Sequence, residues 1–459
     1  MAGGTWTSQS KVLPGVYINT QSKDSVISNV GTRGVVALAM PLSWGETGKV
    51  QEIKNGDDPT NIIGYDITAS QALFLREIFK GSDVTGAPVK VLLYRPAGTG
   101  GVKASITIGE DETTLTATAL YTGTRGNDIS IAVTADPDAA GYYDVATIVG
   151  GYVVDTQHVN AVASLVANDW VDFTGTTALV TSTGAALVGG VNPTIAATDY
   201  ATFLTANEPY TFDILTYDGS DSTVIGAMKN FIVRVNEAIG KKCQLVISGS
   251  AGVANSKYVI AVKNGVKLSD GTALTAAQAT YWLAGVEAGA KYNQSLTYAA
   301  YPDAVEANPK LSNDDIETNV KGGMIVFTDD FGVVKVCTDI NTKTTVTAKE
   351  GAEFKKNRVM RVIMQFCNDT YEYFSLYFIG KVDNNDNGRV LLKKWIVGYL
   401  NEMDANNGIQ NFGVDDVEVL PGNSVDSVIV NANIQPVDSI EKIYITVTVT
   451  ANGATVATA

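Results

Sequence analysis

Hydrophobic and polar positions alternate most strictly in 443–450. Ile443, Ile445, Val447 and Val449 fall on one side, and Tyr444, Thr446, Thr448 and Thr450 on the other. A period of two built from β-branched residues predicts a half-buried strand. Val428 and Val430 predict a second short strand before it, with Pro436, Asp438 and Ser439 breaking the run between them. A strand with a free backbone edge must be paired or covered, because it otherwise recruits other chains. Two coverings are open: a hairpin closed within its own domain, or addition to a sheet in a neighbouring subunit. A further short strand is predicted at 12–19, carrying Val12, Val16, Tyr17 and Ile18 around the Pro14-Gly15 turn. Its polar Gly/Ser/Thr lead lacks the charged and then apolar pattern of a signal peptide.

Between these ends the periodicity changes three times. The apolar run TRGVVALAMPL at 32–42 predicts a buried strand, SQALFLREIFK at 70–80 a helix, and VKVLLYR at 89–95 another buried strand. After Pro96 come short alternating runs rich in Gly, Thr, Ala and Val, with one helix expected at 160–169. Strands of this length at close spacing predict a small sandwich or barrel. From 194 the chain returns to helices at 194–206, 221–239 and 275–289, with strands at 211–217 and 243–248 and a hairpin at 324–338 turning on Asp329-Asp330-Phe331-Gly332. Alternating strands and helices predict a mostly parallel sheet covered on both faces. Long helical stripes at 354–378 and 387–403 follow.

The resulting fold is α/β and multidomain. An α/β sheet domain at 21–95 and 192–346 holds an inserted all-β sandwich or barrel domain at 96–191, read as a separable unit. An α+β C-terminal domain occupies 347–424, with an N-terminal arm at 1–20 and C-terminal strands and arm at 425–459.

Charge narrows the function. Lys and Arg number 33 against 48 Asp and Glu, a formal charge of −15, and no basic run interrupts it. A direct nucleic-acid partner is therefore not expected, since phosphate binding needs a positive footprint. No apolar stretch reaches the roughly 18 residues a membrane-spanning helix needs, so membrane insertion is not expected. The three cysteines, Cys243, Cys337 and Cys367, are odd in number and far apart, which points away from a disulfide scaffold.

Catalytic chemistry finds little footing. His158 is the single histidine and has no Cys or Ser constellation near it in the sequence. The segment 45–49 (GETGK) lacks the spacing of a phosphate loop, and Val50 stands where Ser or Thr is needed. The segment 383–388 (DNNDNG) matches the start of a calcium loop, but position twelve is Lys394 rather than a bidentate Glu, so it reads as a turn and helix cap. Asp218, Asp221, Asp329 and Asp330 sit at predicted strand ends, where caps and turns are the ordinary role. No catalytic, cofactor-binding or metal-ligating residue is nominated, no cofactor is expected, and the protein is read as a non-enzyme.

Five segments in order carry a resemblance: LPGVYIN at 13–19, TRGVVALAMPLSWGE at 32–46, ALYTGTRGNDISI at 119–131, YFIGKVDNNDNGR at 377–389 and NANIQPVDSIEKIYITVTV at 431–449. Together they resemble the contractile-tail sheath proteins of long-tailed phages, phage-like particles and tail-derived bacteriocins, in the form seen in Gram-positive systems. The resemblance implies a structural subunit that stacks in helical rings around an inner tube and contracts to drive that tube through a bacterial envelope. It implies strand-exchanging terminal arms, with Val12, Val16, Tyr17, Ile18, Val428, Val430, Ile443, Ile445, Val447 and Val449 as inter-subunit arm residues. The implied partners are the chain itself, the inner tail tube protein, and baseplate and tail terminator proteins, in a virion tail or phage-like particle assembled in the bacterial cytoplasm. By position, the helix at 387–403 matches the family's tube-attachment helix, making Arg389, Lys393 and Lys394 the candidate inner-tube contact. A solvated charged face is the other reading of the same three residues. An exported surface-array or adhesion protein is the alternative class.

Overall fold

The structure, a computed structural model, describes residues 2–4, 15–17, 31–110, 114–175, 178–249 and 255–449. The chain forms two compact units: one of Met1–Val30 with Tyr373–Gln435, the other of Gly31–Glu372 with Pro436–Ala459.

The larger unit is built on a seven-stranded sheet. Its spatial order is Met324–Ile325, Val259–Val262, Gln244–Ser248, Ile214–Tyr217, Val35–Ala39, Lys90–Tyr94 and Val50–Lys54. All pairings are parallel except the last, in which Val50–Lys54 runs antiparallel along Lys90–Tyr94. That edge strand (VQEIK) escaped the sequence reading because Ile53 is its one buried residue. The inner strands are continuous apolar runs because both faces are covered. Val36, Leu38, Val91, Leu93 and Ile214 pack under the helices Leu73–Ile78 and Ala276–Gly289. Ala37, Leu92, Leu215 and Leu245 face the helices Ala197–Asn207 and Ser222–Arg234, joined by Met360 and Met364.

Local chemistry starts these helices where the sequence indicates. Thr275 caps Ala276–Gly289 by accepting from the Gln278 amide at 3.2 Å, while Gln278 accepts from the Thr275 amide at 3.0 Å, a reciprocal capping box. Asp221 accepts from the Thr223 amide at 2.8 Å and starts Ser222–Arg234. The expected hairpin forms in a shorter span, Phe327–Asp330 with Val333–Val336: Asp329 and Asp330 lie in the strand, the turn is Phe331 and Gly332, and Met324–Ile325 joins the parallel sheet instead.

Residues 99–194 form the predicted β-sandwich. One sheet orders Tyr152–Val159, Tyr143–Val149, Ile129–Ala135 and Ser182–Ala186; the other orders Val171–Gly175, Leu115–Thr122 and Lys103–Ile108. The expected helix at 160–169 is absent, and a single 3-10 turn, Val162–Ser164, stands there. Asn168 decides this: its side chain accepts from the amides of Trp170 and Val171 at 2.9 and 3.0 Å, bonds a helix would not allow.

The sandwich is not a loosely attached module. Trp44, from the α/β domain, is fully buried in the sandwich core, with its ring centroid 5.0 Å from Trp170 and 5.2 Å from Tyr121. Arg95 lies buried at the crossing point, donating to the carbonyls of Leu42 at 2.9 Å and Thr122 at 2.6 Å, and burial pulls its pKa down to about 10. The expectation of a cleanly separable unit is corrected: excising the sandwich would uncover Trp44.

In the smaller unit, Ala2–Gly4 and Gly15–Tyr17 pair in parallel. Val16 and Tyr17 lie in that strand; Val12 and Ile18 fall outside the described residues. The helices Asn357–Tyr377 and Asp386–Ala405 are as expected, the first contributing residues to both units. Tyr373 stacks on Trp395 at 4.4 Å, and Trp395 in turn lies 5.3 Å from Tyr399. The strand Val428–Ala432 exists, but its partner is Val417–Pro421, antiparallel, not the 443–449 segment. The predicted half-buried strand at 443–449 is the main correction. Among the described residues the segment forms no strand and has no strand partner.

Gly285 supplies a quantitative test of the core. A Cβ there would sit 2.0 Å from the Ile78 carbonyl oxygen, whereas one at Gly226, also helical, would meet nothing within 4 Å. Gly285→Ala is expected to destabilise by about 1–3 kcal/mol through overpacking. Gly226→Ala should be neutral or stabilise by up to about 1 kcal/mol. Urea unfolding of both variants checks the contrast; equal midpoints would show that the helix shifts freely.

Candidate assembly interface

The 440–449 segment is an uncovered apolar strip. Ile440, Ile443, Tyr444, Ile445, Val447 and Val449 are 76–90% exposed. An exposed row of large aliphatic side chains at this density marks an interaction surface. The strip is rooted at Glu441, which is only partly exposed. Its carboxylate pairs with Lys356 and accepts from the Thr297 hydroxyl at 2.7 Å, while Asp438 lies 3.5 Å from the same lysine.

Beneath that root lies a buried ionic cluster. The Arg361 guanidinium pairs with Glu287, and with Asp339 at 2.6 Å, and donates to the Gln294 carbonyl at 2.7 Å. Asn357 donates to Glu287 at 3.1 Å and to Asp339 at 2.8 Å. Burial is the largest influence on both carboxyls and acts to raise each pKa. For Glu287 it prevails, reinforced by the Asp339 charge, and the pKa lies well above the usual carboxylate range. For Asp339 the charge of Arg361 and the Leu296 amide outweigh burial and hold it below that range. Burial and the neighbouring charges thus shift the two carboxyls in opposite directions, Glu287 up and Asp339 down.

In the smaller unit, Val428 and Val430 lie in the two-stranded ribbon, where Ile429, Val430 and Leu420 are partly uncovered. Val428 also borders a cleft of about 280 Å³ lined by Phe374, Phe378, Leu392 and Arg389. Asn385 accepts from the Gly388 amide at 2.9 Å, so the 383–388 segment does cap the helix. Arg389 is occupied internally, donating to Asn384 at 2.9 Å and pairing with Asp386. Lys393 and Lys394 form no ion pair among the described residues. Trp395 and Ile396 anchor this helix as expected, but Val390 and Leu391 do not: both are more than half exposed.

The aspartates considered from the sequence are dispersed into structural tasks. Asp218 accepts from the Tyr281 hydroxyl, Asp221 caps a helix, Asp329 accepts from the Ala307 amide at 2.8 Å and Asp330 pairs with Lys335 at 3.1 Å. His158 lies on a sandwich strand with Nδ1 2.8 Å from Asp144. Sequence reasoning missed the Val417–Pro421 strand, the Glu441 root and the Arg361 cluster. For the cluster the sole signal was a charged residue on the apolar stripe of the 354–378 helix.

A parallel-sheet α/β domain carrying an inserted β-sandwich, with an apolar strip left uncovered, defines the class of protein. The family is established by comparison. Residues 33–95 match the tail sheath protein Gp18 domain III N-terminal region, 99–192 the phage tail sheath protein beta-sandwich domain, 194–342 the phage tail sheath protein central domain and 349–450 the phage tail sheath C-terminal domain. The chain is 34% identical to the phage-like element PBSX protein XkdK of Bacillus subtilis, over 98% of this chain and all of that protein. It is similar to the crystallised sheath tail proteins of Desulfitobacterium hafniense (39% identity, TM-score 0.83, 94% of this chain and 99% of that one) and Listeria innocua (32%, 0.75, 91% and 95%). The contracted helical sheath of the anti-feeding prophage shares the fold at 12% identity and TM-score 0.56, over 95% of this chain and 99% of that one. The chain belongs to the phage tail sheath protein family. It is a structural subunit of a contractile tail sheath.

The buried cluster makes stability depend on pH in a defined sense. Above the ordinary glutamate value of 4.5 the unfolded chain has released a proton that folded Glu287 still holds. Stability therefore falls as pH rises toward the raised folded pKa, by up to about 1.4 kcal/mol per pH unit. Asp339 acts oppositely, its contribution being lost as pH falls from 3.8 through the depressed folded value. Glu287→Gln keeps a donor and removes the titration, so its stability relative to wild type should increase from pH 4.5 to 8. Thermal unfolding across that range tests this; parallel curves would rule out a protonated Glu287.

Proposed function

We propose that this sheath subunit polymerises with copies of itself as stacked helical rings around an inner tail tube and exchanges its terminal segments with neighbours. Contraction trades one set of inter-subunit contacts for a larger one and drives the tube through a bacterial envelope. Baseplate and tail terminator proteins bound the polymer at its ends, and the particle assembles in the bacterial cytoplasm. The role is structural rather than enzymatic. The proposed domain limits are 1–20 for the N-terminal arm, 21–95 with 192–346, 96–191, 347–424, and 425–459 for the C-terminal strands and arm.

One observation carries this reading: the row Ile443, Ile445, Val447 and Val449 stands in solvent with no partner strand among the described residues. Ordering eight such residues costs about 8–16 kcal/mol of backbone entropy. Burying the four aliphatic side chains contributes roughly 6–12 kcal/mol, and about seven strand hydrogen bonds contribute roughly 4–10 kcal/mol in all. The terms nearly cancel. The segment orders only when a neighbour supplies several contacts at once, which is the condition for growth from a nucleus.

Truncation after Glu441 is expected to leave a folded subunit that forms no long tubes, seen by sedimentation and negative-stain microscopy. Normal tubes would refute arm exchange. For tube attachment, Lys393 and Lys394 are the stronger candidates because Arg389 is held by its own turn. Exposed contacts contribute about 0–1 kcal/mol each but repeat along the whole polymer. Reversing both lysines to glutamate should prevent extended sheath from forming on the tube at low salt, with the difference from wild type narrowing as raised salt screens the charges; unchanged extended particles at every salt concentration would remove this helix from that role.

A further inference from the structure

Lys356 and Glu441 lie where the exposed strip leaves its own folded unit. We propose that these two residues, with Thr297 beneath them, form an anchor that fixes the exit point of the C-terminal arm and passes tension on it into the buried Arg361 cluster. The proposal rests on the arm reading of 442–449.

Three observations support the anchor. The first is the abrupt change in exposure. Residues 442–449 are all exposed, whereas Glu441 is drawn in with its side chain 15% exposed, against a Lys356 side chain 24% exposed. The second is continuity. Glu441 accepts from the Thr297 hydroxyl, whose oxygen accepts from the Asp339 amide at 2.9 Å. The Asp339 carboxylate accepts from the Leu296 amide at 2.9 Å and pairs with Arg361, which pairs with Glu287. Every link from the strip to the core is thus a hydrogen bond or ion pair, and Lys356 directly precedes Asn357, the first residue of the helix that carries Arg361. The third is that the neighbouring attachments are few. Among the described residues Ser439 Oγ is buried without a partner, the Ser439 amide bonds to the adjacent Asp438 side chain, and the other tie close by, Asp438 at 3.5 Å, is to the same Lys356.

Anchoring at this residue also sets a register. Glu441 shares its period-two parity with Ile443, Ile445, Val447 and Val449. A slip of one residue at the exit would turn that apolar row to the opposite face of any sheet it joins. A fixed carboxylate at 441 therefore determines which face the arm offers. It acts as a positioning residue for assembly and not as part of the arm's own contact surface.

The test uses the full-length chain with Lys356→Glu, Glu441→Lys, the double exchange and the milder Glu441→Gln, read by hydrogen exchange on the free subunit and by tube formation. Each charge reversal should raise amide exchange at 438–442 by about tenfold, as expected for releasing a local tie rather than the global fold. Each should also shorten the tubes, with the thermal midpoint near that of wild type. Glu441→Gln should fall between, and it keeps the test valid should a reversal fail to fold. The double exchange should restore both protection and tube length. Wild-type protection in the single variants, or a folded double variant without recovery, would overturn the anchor. The chain truncated after Glu441 separates the two ideas: if it forms normal tubes the arm reading fails, whereas its exchange at 438–441 still reports on the anchor.

Discussion

Arg361 is the point on which the larger unit depends. A fully buried guanidinium without partners would cost far more than the whole stability of a domain, and both terminal nitrogens of Arg361 have partners, while its Nε has none among the described residues. The partners come from separate parts of the chain: Glu287 on a central helix, Asp339 after the hairpin and the Gln294 carbonyl, with Asn357, one turn before Arg361, donating to both carboxyls. Replacing a buried ionic cluster with well-packed apolar residues is often neutral, but removing one member typically costs about 3–5 kcal/mol. Its value is geometric. A hydrocarbon contact permits a helix to slide, whereas this cluster admits one position of the Asn357–Tyr377 helix against the Ala276–Gly289 helix.

The contrast between core and strip expresses what the molecule is built for. The sheet strands bury nearly every aliphatic side chain, while residues 442–449 leave theirs in water. Four exposed β-branched aliphatic residues in one alternating row, Ile443, Ile445, Val447 and Val449, are unusual for a monomeric protein. Under the proposed arm exchange they would supply inter-subunit contacts, and the near-cancellation of their energies would keep a free subunit from capturing partners at random.

The inserted sandwich is tied by a different kind of joint. Trp44 crosses into the sandwich core, Arg95 bridges Leu42 and Thr122, and Arg125 from the sandwich side donates to the Gly64 carbonyl at 2.8 Å over the face of Tyr65. Apolar plug and charged bridge act together, since neither residue can leave without exposing a large ring or stranding a buried charge.

Much of this was legible in the sequence. Continuous Val, Leu and Ala runs marked buried parallel strands, period-two runs marked the sandwich, and Thr275, Asp221 and Asn385 marked helix starts, because each of these signals depends on residues close together in the chain. The composition of 443–449 predicted a strand, but the described residues form none there. The tertiary structure alone decided what each element would pair with. It gave Val428–Ala432 to Val417–Pro421, left 443–449 without a partner, turned 160–169 into a loop through Asn168, and gathered Arg361, Glu287 and Asp339 from positions more than seventy residues apart at the extremes. Local pattern specifies how a segment can satisfy its own backbone and which face is apolar. Pairing and buried charge depend on which distant groups the folded chain brings within hydrogen-bond reach.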